Sequence, residues 1–257
     1  HACIGLKILG LNKSLPKDLC SEHMEEDSYS GRLVSDVLLE ILQTFKSLCH
    51  PCICQFIDFV PSDQDSILLI TEHSMSLFEL VQDPSKVRLL EAGDNTTDDI
   101  AFDDDFISSV GFMTASGLEY LHERNFIHGG LNLHNVLVFS GSKIAISDFV
   151  HDTLSQTGHV SPAANSSPEY SPPEIILSNL MNRDESRKPS ADMWSLGAIL
   201  LCLLRGGQLP WTSTSLKCSL EGALRFASEL ARGGSVFDGM VLDGGGCSAA
   251  RRGVRDE

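Results

Sequence analysis

Two stretches of this chain bring reactive side-chain types close together. The first, Ile127-His128-Gly129-Gly130-Leu131-Asn132-Leu133-His134-Asn135-Val136-Leu137-Val138, sets an imidazole and an amide on either side of two glycines; the second, Ser147-Asp148-Phe149-Val150, sets a carboxylate before an aromatic ring. An imidazole can pass a proton near neutral pH when a neighbour fixes its tautomer, but no carboxylate flanks His128 in sequence to do so. His128 therefore reads as a packed loop residue. A third cluster, Cys49-His50-Pro51-Cys52-Ile53-Cys54, offers ligand types that zinc accepts. Its spacing is tighter than the spacers of about two to four residues in structural zinc sites, and no second pair follows nearby, so a packing role is expected.

The first two stretches resemble the H-R-D-L-x-x-x-N catalytic loop and the D-F-G motif of protein kinases, with glycines standing in place of the Arg and the catalytic Asp. That resemblance implies a site for ATP and magnesium. In it, Asn135 and Asp148 hold the metal, Lys7 meets phosphate, Glu72 and Ser74 lie at the hinge between two lobes, and Thr71 is the gatekeeper. It also leaves the base position without a side chain. Gly130 has nothing to accept a substrate hydroxyl proton, a role worth roughly 10²–10⁴ in rate, so no catalytic residue is assigned. Asn135 and Asp148 admit a second reading, in which the amide fixes the loop and the carboxylate has no ligand. Lys7 admits one too, as an exposed strand lysine, because no Gly-rich phosphate loop precedes it. Gly129 removes the Arg that reads a phosphate on the activation segment, so Ser161-Pro162, Ser167-Pro168 and Ser171-Pro172 are expected as plain loop prolines. Val150 follows Phe149 where the motif carries glycine, which narrows the backbone angles open to that segment.

The elements that must position these groups are legible as periodicity. Ile4 to Leu9 alternates like a half-buried strand, and Val37, Leu38, Ile41, Leu42, Phe45 and Leu48 repeat at helical spacing within Val34 to Leu48. Counting back from His50 by the kinase pattern, the glutamate that pairs with the nucleotide lysine falls on Ile41, with Glu40 one residue away. One residue turns a side chain about 100° around a helix, so a normal Lys-Glu pair is not expected. Ile53 to Val60 and Ile67 to Thr71 read as a hairpin, and Leu77 to Val81 opens the larger lobe. Phe106 to His122 reads as a helix with Phe106, Val110, Met113, Gly117 and Leu121 on one side, and Lys143 to Ile146 as a short strand. Ser14 to Arg32 reads as an insertion or loop. The six Asp among the twelve residues from Asp94 to Asp105 read as a solvated acidic loop.

By the resemblance, Asp148 to Glu174 is an activation segment ending at Ser171-Pro172-Pro173-Glu174. Ala191-Asp192-Met193-Trp194-Ser195-Leu196-Gly197 is then a helix whose Asp192 caps the catalytic-loop backbone. Glu174 would pair with an Arg of later helices that this sequence does not carry in recognisable form. From Val34 to Trp211 the order of these motifs is similar to the protein-kinase superfamily. Leu15-Pro16-Lys17-Asp18-Leu19-Cys20, His50 to Asp58 and Thr71-Glu72-His73 further resemble the TBC-domain-containing protein-kinase-like family, whose TBC domain, associated with Rab GTPase activation, lies outside these residues.

Length and composition fit one α+β, two-lobed domain. The 257 residues are 42% hydrophobic, enough for a core. The expected division is a partial small lobe over 1–72, a helical large lobe over 73–217, and a Gly-rich tail over 218–257 with no apolar periodicity. That tail reads as disordered or non-native, and the large lobe as truncated. A formal charge of -16 argues against nucleic acid or an anionic membrane surface and favours a protein partner with a basic face. The longest apolar run, Leu196 to Leu204, is too short to span a bilayer, no leader precedes His1, and eight irregularly spaced cysteines suit a reducing, cytoplasmic setting. The functional expectation is a pseudokinase that serves as an interaction or regulatory module within trafficking, with weak ATP binding. The alternative is an active kinase that recruits another carboxylate such as Asp152.

Overall fold

The computed structural model describes residues 3–10, 36–62, 66–83, 102–149, 167–180 and 188–209. The first sheet contains β1 (Cys3–Gly10), β2 (Phe56–Ser62) and β3 (Ser66–His73), all antiparallel in the order β1-β3-β2. β1 is a strand as expected, but its faces are reversed from a half-buried pattern: Ile4, Leu6 and Ile8 are exposed, while Lys7, opposite Leu69, lies on the side of the cleft. Helix α1 (Asp36–Ser47) buries Leu38, Leu42 and Phe45, the stripe that its periodicity predicts.

The expected first hairpin strand begins later than the apolar run suggests. Ile53 makes an isolated parallel bridge with Ile146, and β2 starts only at Phe56. Cys54 N–H donates to the Ile146 carbonyl at 2.8 Å and Ile146 N–H to the Cys52 carbonyl at 2.9 Å. The run is continuous because its first half belongs to the larger lobe and its second half to the small one. Ile53, Cys54 and Phe56 are buried, while Ile57 and Val60 are exposed.

A second sheet, β4 (Met75–Ser76), β5 (Val136–Val138) and β6 (Ile144–Ile146), lies on the large-lobe side of the hinge. Helix α2 (Leu77–Gln82) starts on a capping box, with Ser76 Oγ accepting from Glu79 N–H and the Glu79 carboxylate accepting from Ser76 N–H. Helix α3 (Asp104–His122) starts earlier than the expected Phe106, because Asp103 is its N-cap and accepts from Phe106 N–H at 2.7 Å. The end of the acidic stretch is thus helical: Asp104 and Asp105 sit in the first turn, where negative charge complements the helix dipole. The rest of that stretch lies outside the described residues, as do the segments over 14–32 and 210–257.

The buried side of α3 is rotated slightly from the expected stripe. Ile107, Val110, Thr114, Gly117, Leu118 and Leu121 are buried, while Phe106 and Met113 are only partly so. Helices α4 (Pro173–Leu180) and α5 (Pro189–Leu204) complete the described large lobe. On α5, Leu196, Ile199, Cys202 and Leu203 join the same core as Val110, Leu118 and Leu121 of α3. Ser195 Oγ donates to the Tyr170 carbonyl at 2.8 Å and ties the Pro168–Tyr170 turn to α5.

The tightest backbone approach lies where α3 passes under the Cys52 to Cys54 bridge. A β-carbon at Gly117 would stand 2.6 Å from the Cys52 carbonyl oxygen and 3.3 Å from Ile146. Backbone cannot give way there as a side-chain tip could. Gly117→Ala is expected to destabilise the protein by roughly 1–3 kcal/mol, as other overpacking changes do, lowering the urea midpoint. An unchanged midpoint would mean that α3 does not pass this close to the Cys52 carbonyl.

Candidate nucleotide cleft

The loop from His128 to Asn135 hangs from one buried carboxylate. Asp192 is 1% exposed; its Oδ2 accepts from His128 N–H at 2.9 Å and its Oδ1 from Gly129 N–H at 2.8 Å. His122 Nε2 donates to Oδ2 at 2.7 Å. The expected role of Asp192 is therefore observed, together with a histidine partner that sequence reading did not assign. His128 is buried and its ring is fully used. The Ser147 carbonyl can only accept and the Gly130 N–H can only donate, so the contacts of Nε2 at 2.9 Å and Nδ1 at 3.3 Å define a neutral ring protonated on Nε2. This ring is a strut between the two motifs.

The two glycines meet different demands. Gly129 has φ 69°, which glycine adopts without the strain a β-carbon brings. Gly130 has no such constraint, and a β-carbon built there meets nothing within 4 Å. The loop has room for a base and lacks one. Its carbonyl accepts from Asn135 Nδ2 at 2.8 Å and from Asn132 Nδ2 at 3.0 Å. Asn135 thus fixes the loop through its nitrogen, and among the described residues nothing donates to its Oδ1, which remains available to a cation.

Asp148 is held at φ 66°, a left-handed conformation that Asp tolerates better than most residues. Phe149 is buried beneath α1, 5.6 Å from the Phe45 ring, which also meets Phe126 at 5.2 Å. That placement turns the Asp148 carboxylate toward β1, where Lys7 Nζ lies 2.9 Å from Oδ2. Lys7, Cys54, Phe56, Leu69, Thr71, Ser147, Asp148 and Phe149 line a shallow cleft that opens to solvent. Lys7, Thr71 and Asp148 are brought together at the cleft, whereas Asn135 is not among its lining residues and its side chain meets the Gly130 carbonyl. Ile41 packs partly buried against the core and Glu40 is exposed, so α1 offers Lys7 no carboxylate in the described ion pairs.

Glu72 and Ser74 have other partners. Both Glu72 carboxylate oxygens accept from Lys143 Nζ, at 3.0 and 3.1 Å, and Ser74 Oγ donates to the Val138 carbonyl at 2.6 Å. Their side chains fasten the hinge to β5 and β6 rather than line the cleft. Lys143, which the sequence marked only as a strand start, is the residue that was missed. Cys54 also lines the cleft unannounced; burial pushes its thiol up to about 12, with Glu72 adding to the shift, so it stays protonated near neutral pH. In the Cys49 to Cys54 cluster, Cys52 and Cys54 are buried and Cys49 is exposed. Val150, Asp152 and Ser161 lie outside the described residues, and Glu174 is exposed with no ion pair recorded among them.

This arrangement agrees with comparisons to known proteins. A family model described as protein kinase domain matches residues 13–229. The chain belongs to the protein kinase domain family. It is 24% identical over 76% of its length to the human TBC domain-containing protein kinase-like protein, of which it covers 21%. It is 39% identical over 48% of its length to the probable serine/threonine-protein kinase MARK-B of Dictyostelium discoideum, of which it covers 17%. The chain thus spans about a fifth of the length of these relatives. Kinase domains as a family bind ATP and magnesium. Here the donor set fits such a group in part: Asn135 Oδ1 and the Asp148 carboxylate suit a cation, and Lys7 suits phosphate.

Removing Asp192 should be costly because two buried backbone donors would lose their acceptor. Leaving such donors unsatisfied costs about 1–3 kcal/mol each, so Asp192→Ala is expected to lose roughly 2–6 kcal/mol in chemical denaturation. Asp192→Asn, which retains an acceptor oxygen, should lose less. Equal losses would place the effect in packing rather than in the two N–H contacts.

Proposed function

We propose that this chain is a pseudokinase module: a kinase-family domain that keeps the frame of the active site, lacks its base, and acts through binding rather than phosphoryl transfer. The supporting observation is Gly130. It stands at the base position on a loop anchored by Asp192, beside space that a side chain could fill; the His128 imidazole is committed to Ser147 and Gly130, and the His134 ring stacks on Phe78. Missing chemistry, not a misplaced loop, is the reason for inactivity.

Nucleotide binding in this reading is weak and depends on magnesium. Asn135 and Asp148 would hold the cation and Lys7 the phosphates, while the cation supplies charge neutralisation between phosphate oxygens. No Gly-rich phosphate loop precedes Lys7, and no α1 glutamate steadies it. The strong acidity of the chain supports a protein partner with a basic surface, not nucleic acid. Free Cys49, Cys52, Cys54 and Cys202 are compatible with a reducing cytoplasmic setting, and no helix among the described residues is long and apolar enough to cross a membrane. The likeness to the TBC domain-containing relative supports a place as the kinase-like part of a larger protein that regulates trafficking. On the same reading the small lobe runs to Glu72, the large lobe over 73–217, and the residues beyond 217 contribute little to either.

The test is incorporation of labelled phosphate from ATP with magnesium, into the protein itself and into peptide substrates. Wild type is expected at the level of a blank. Gly130→Asp, which has room for its carboxylate, should fold with an unchanged midpoint and raise incorporation above that blank, by up to about 10²–10⁴ in rate where nucleotide occupancy allows. Robust wild-type incorporation abolished by Asp148→Ala would overturn the proposal and point to another carboxylate such as Asp152.

A further inference from the structure

The Lys7–Asp148 contact carries an inference about how ligands enter the cleft. Lys7 has lost the α1 carboxylate that would hold it away, since Ile41 faces the core and Glu40 faces solvent. Its ammonium therefore sits 2.9 Å from Asp148 Oδ2, with both side chains more than a third exposed at the cleft. Asp148 is the one carboxylate of the pair of groups suited to a cation; the other, Asn135, is neutral. A divalent cation arriving alone would meet one anionic ligand, already neutralised, and a positive charge beside it. Such a site is poor, because magnesium is ordinarily held by one or two carboxylates together with the phosphates of its ligand.

We infer that Lys7 is the resident counter-ion of Asp148, so that a divalent cation gains Asp148 only as a phosphate-bearing ligand draws Lys7 away. The two ligands then bind together by exchanging partners: the ammonium passes from carboxylate to phosphate, and the carboxylate from ammonium to metal. Charge stays balanced throughout. Neither ligand alone compensates for breaking the contact, and coupling between them is reciprocal, each strengthening the other by the same factor. The inference deepens the nucleotide-binding part of the proposed function and rests on it, but its first arm can be read without nucleotide.

That arm is binding of Mn²⁺ alone, measured by loss of its free-ion electron paramagnetic resonance signal on the whole chain. Lys7→Met keeps the aliphatic stem and removes the charge, so it should tighten Mn²⁺ about fivefold, the low end for coupled sites, whereas Lys7→Arg, which preserves the pair, should match wild type. The second arm is ATP in the presence of EDTA, followed by calorimetry. Asp148→Asn frees Lys7 and should tighten metal-free ATP by a similar factor while abolishing the gain that magnesium gives wild type. Thermal melts of each variant confirm that it is folded. Mn²⁺ affinity unchanged in folded Lys7→Met, or metal-free ATP unchanged in folded Asp148→Asn while wild type binds magnesium-ATP, would overturn the counter-ion role and leave the nucleotide reading intact. A Mn²⁺ gain in Lys7→Met with no ATP bound by any form would uphold the counter-ion role and remove the nucleotide reading instead.

Discussion

One buried carboxylate sets the geometry on which the rest of the site depends. Asp192 gives both oxygens to the N–H groups of His128 and Gly129, and a third contact to His122. A buried carboxylate is tolerated only when donors surround it, and buried backbone N–H groups need an acceptor, so each side of this arrangement satisfies the other. From that anchor the order propagates. The His128 ring reaches the Ser147 carbonyl, Phe149 follows beneath Phe45 of α1, and Asp148 is turned toward Lys7. Loop, Ser147-Asp148-Phe149 segment and small lobe are therefore positioned by one chain of contacts that begins on α5.

That chain of contacts makes no use of a side chain at residue 130. Its loss leaves the frame standing, since the Gly130 carbonyl still organises Asn132 and Asn135 and its N–H still meets His128. Stability and catalysis are separable here because the base would project into open space while the backbone does the structural work. Gly129 has even a small backbone advantage at its positive φ. On the proposed reading, a kinase-family fold outlives its chemistry with little structural penalty and acts as a binding module. What changes is the electrostatics of the cleft, where Lys7, with no α1 carboxylate in the described ion pairs, meets the Asp148 carboxylate.

The parts of this fold that sequence made legible are those encoded by local period or by adjacent motif residues. Strand β1, helix α1, the Phe149 position and the Asp192 anchor all follow from residues that are neighbours in sequence or sit in an ordered motif series. What escaped reading was partner choice over long separations. Nothing near Glu72 announces Lys143, and nothing near Ser74 announces the Val138 carbonyl, so two hinge side chains expected at the nucleotide instead fasten the lobes. The start of α3 was hidden for a different reason: an aspartate run reads as solvated charge until one member is recognised as a cap. The Ile53 to Val60 run misled because continuous apolar character cannot tell one long strand from two short pairings in different lobes.

The central claim is that the catalytic loop is rigidly held although it lacks a base, and amide hydrogen exchange at His128 and Gly129 tests it most directly. Both N–H groups end on a carboxylate that is 1% exposed, so they should exchange only through opening of the large lobe, with protection matching the slowest amides of α5. Exchange orders of magnitude faster than α5 would show that the loop opens on its own. The inactive site would then be a disordered loop, and not an ordered frame from which a single side chain has been lost.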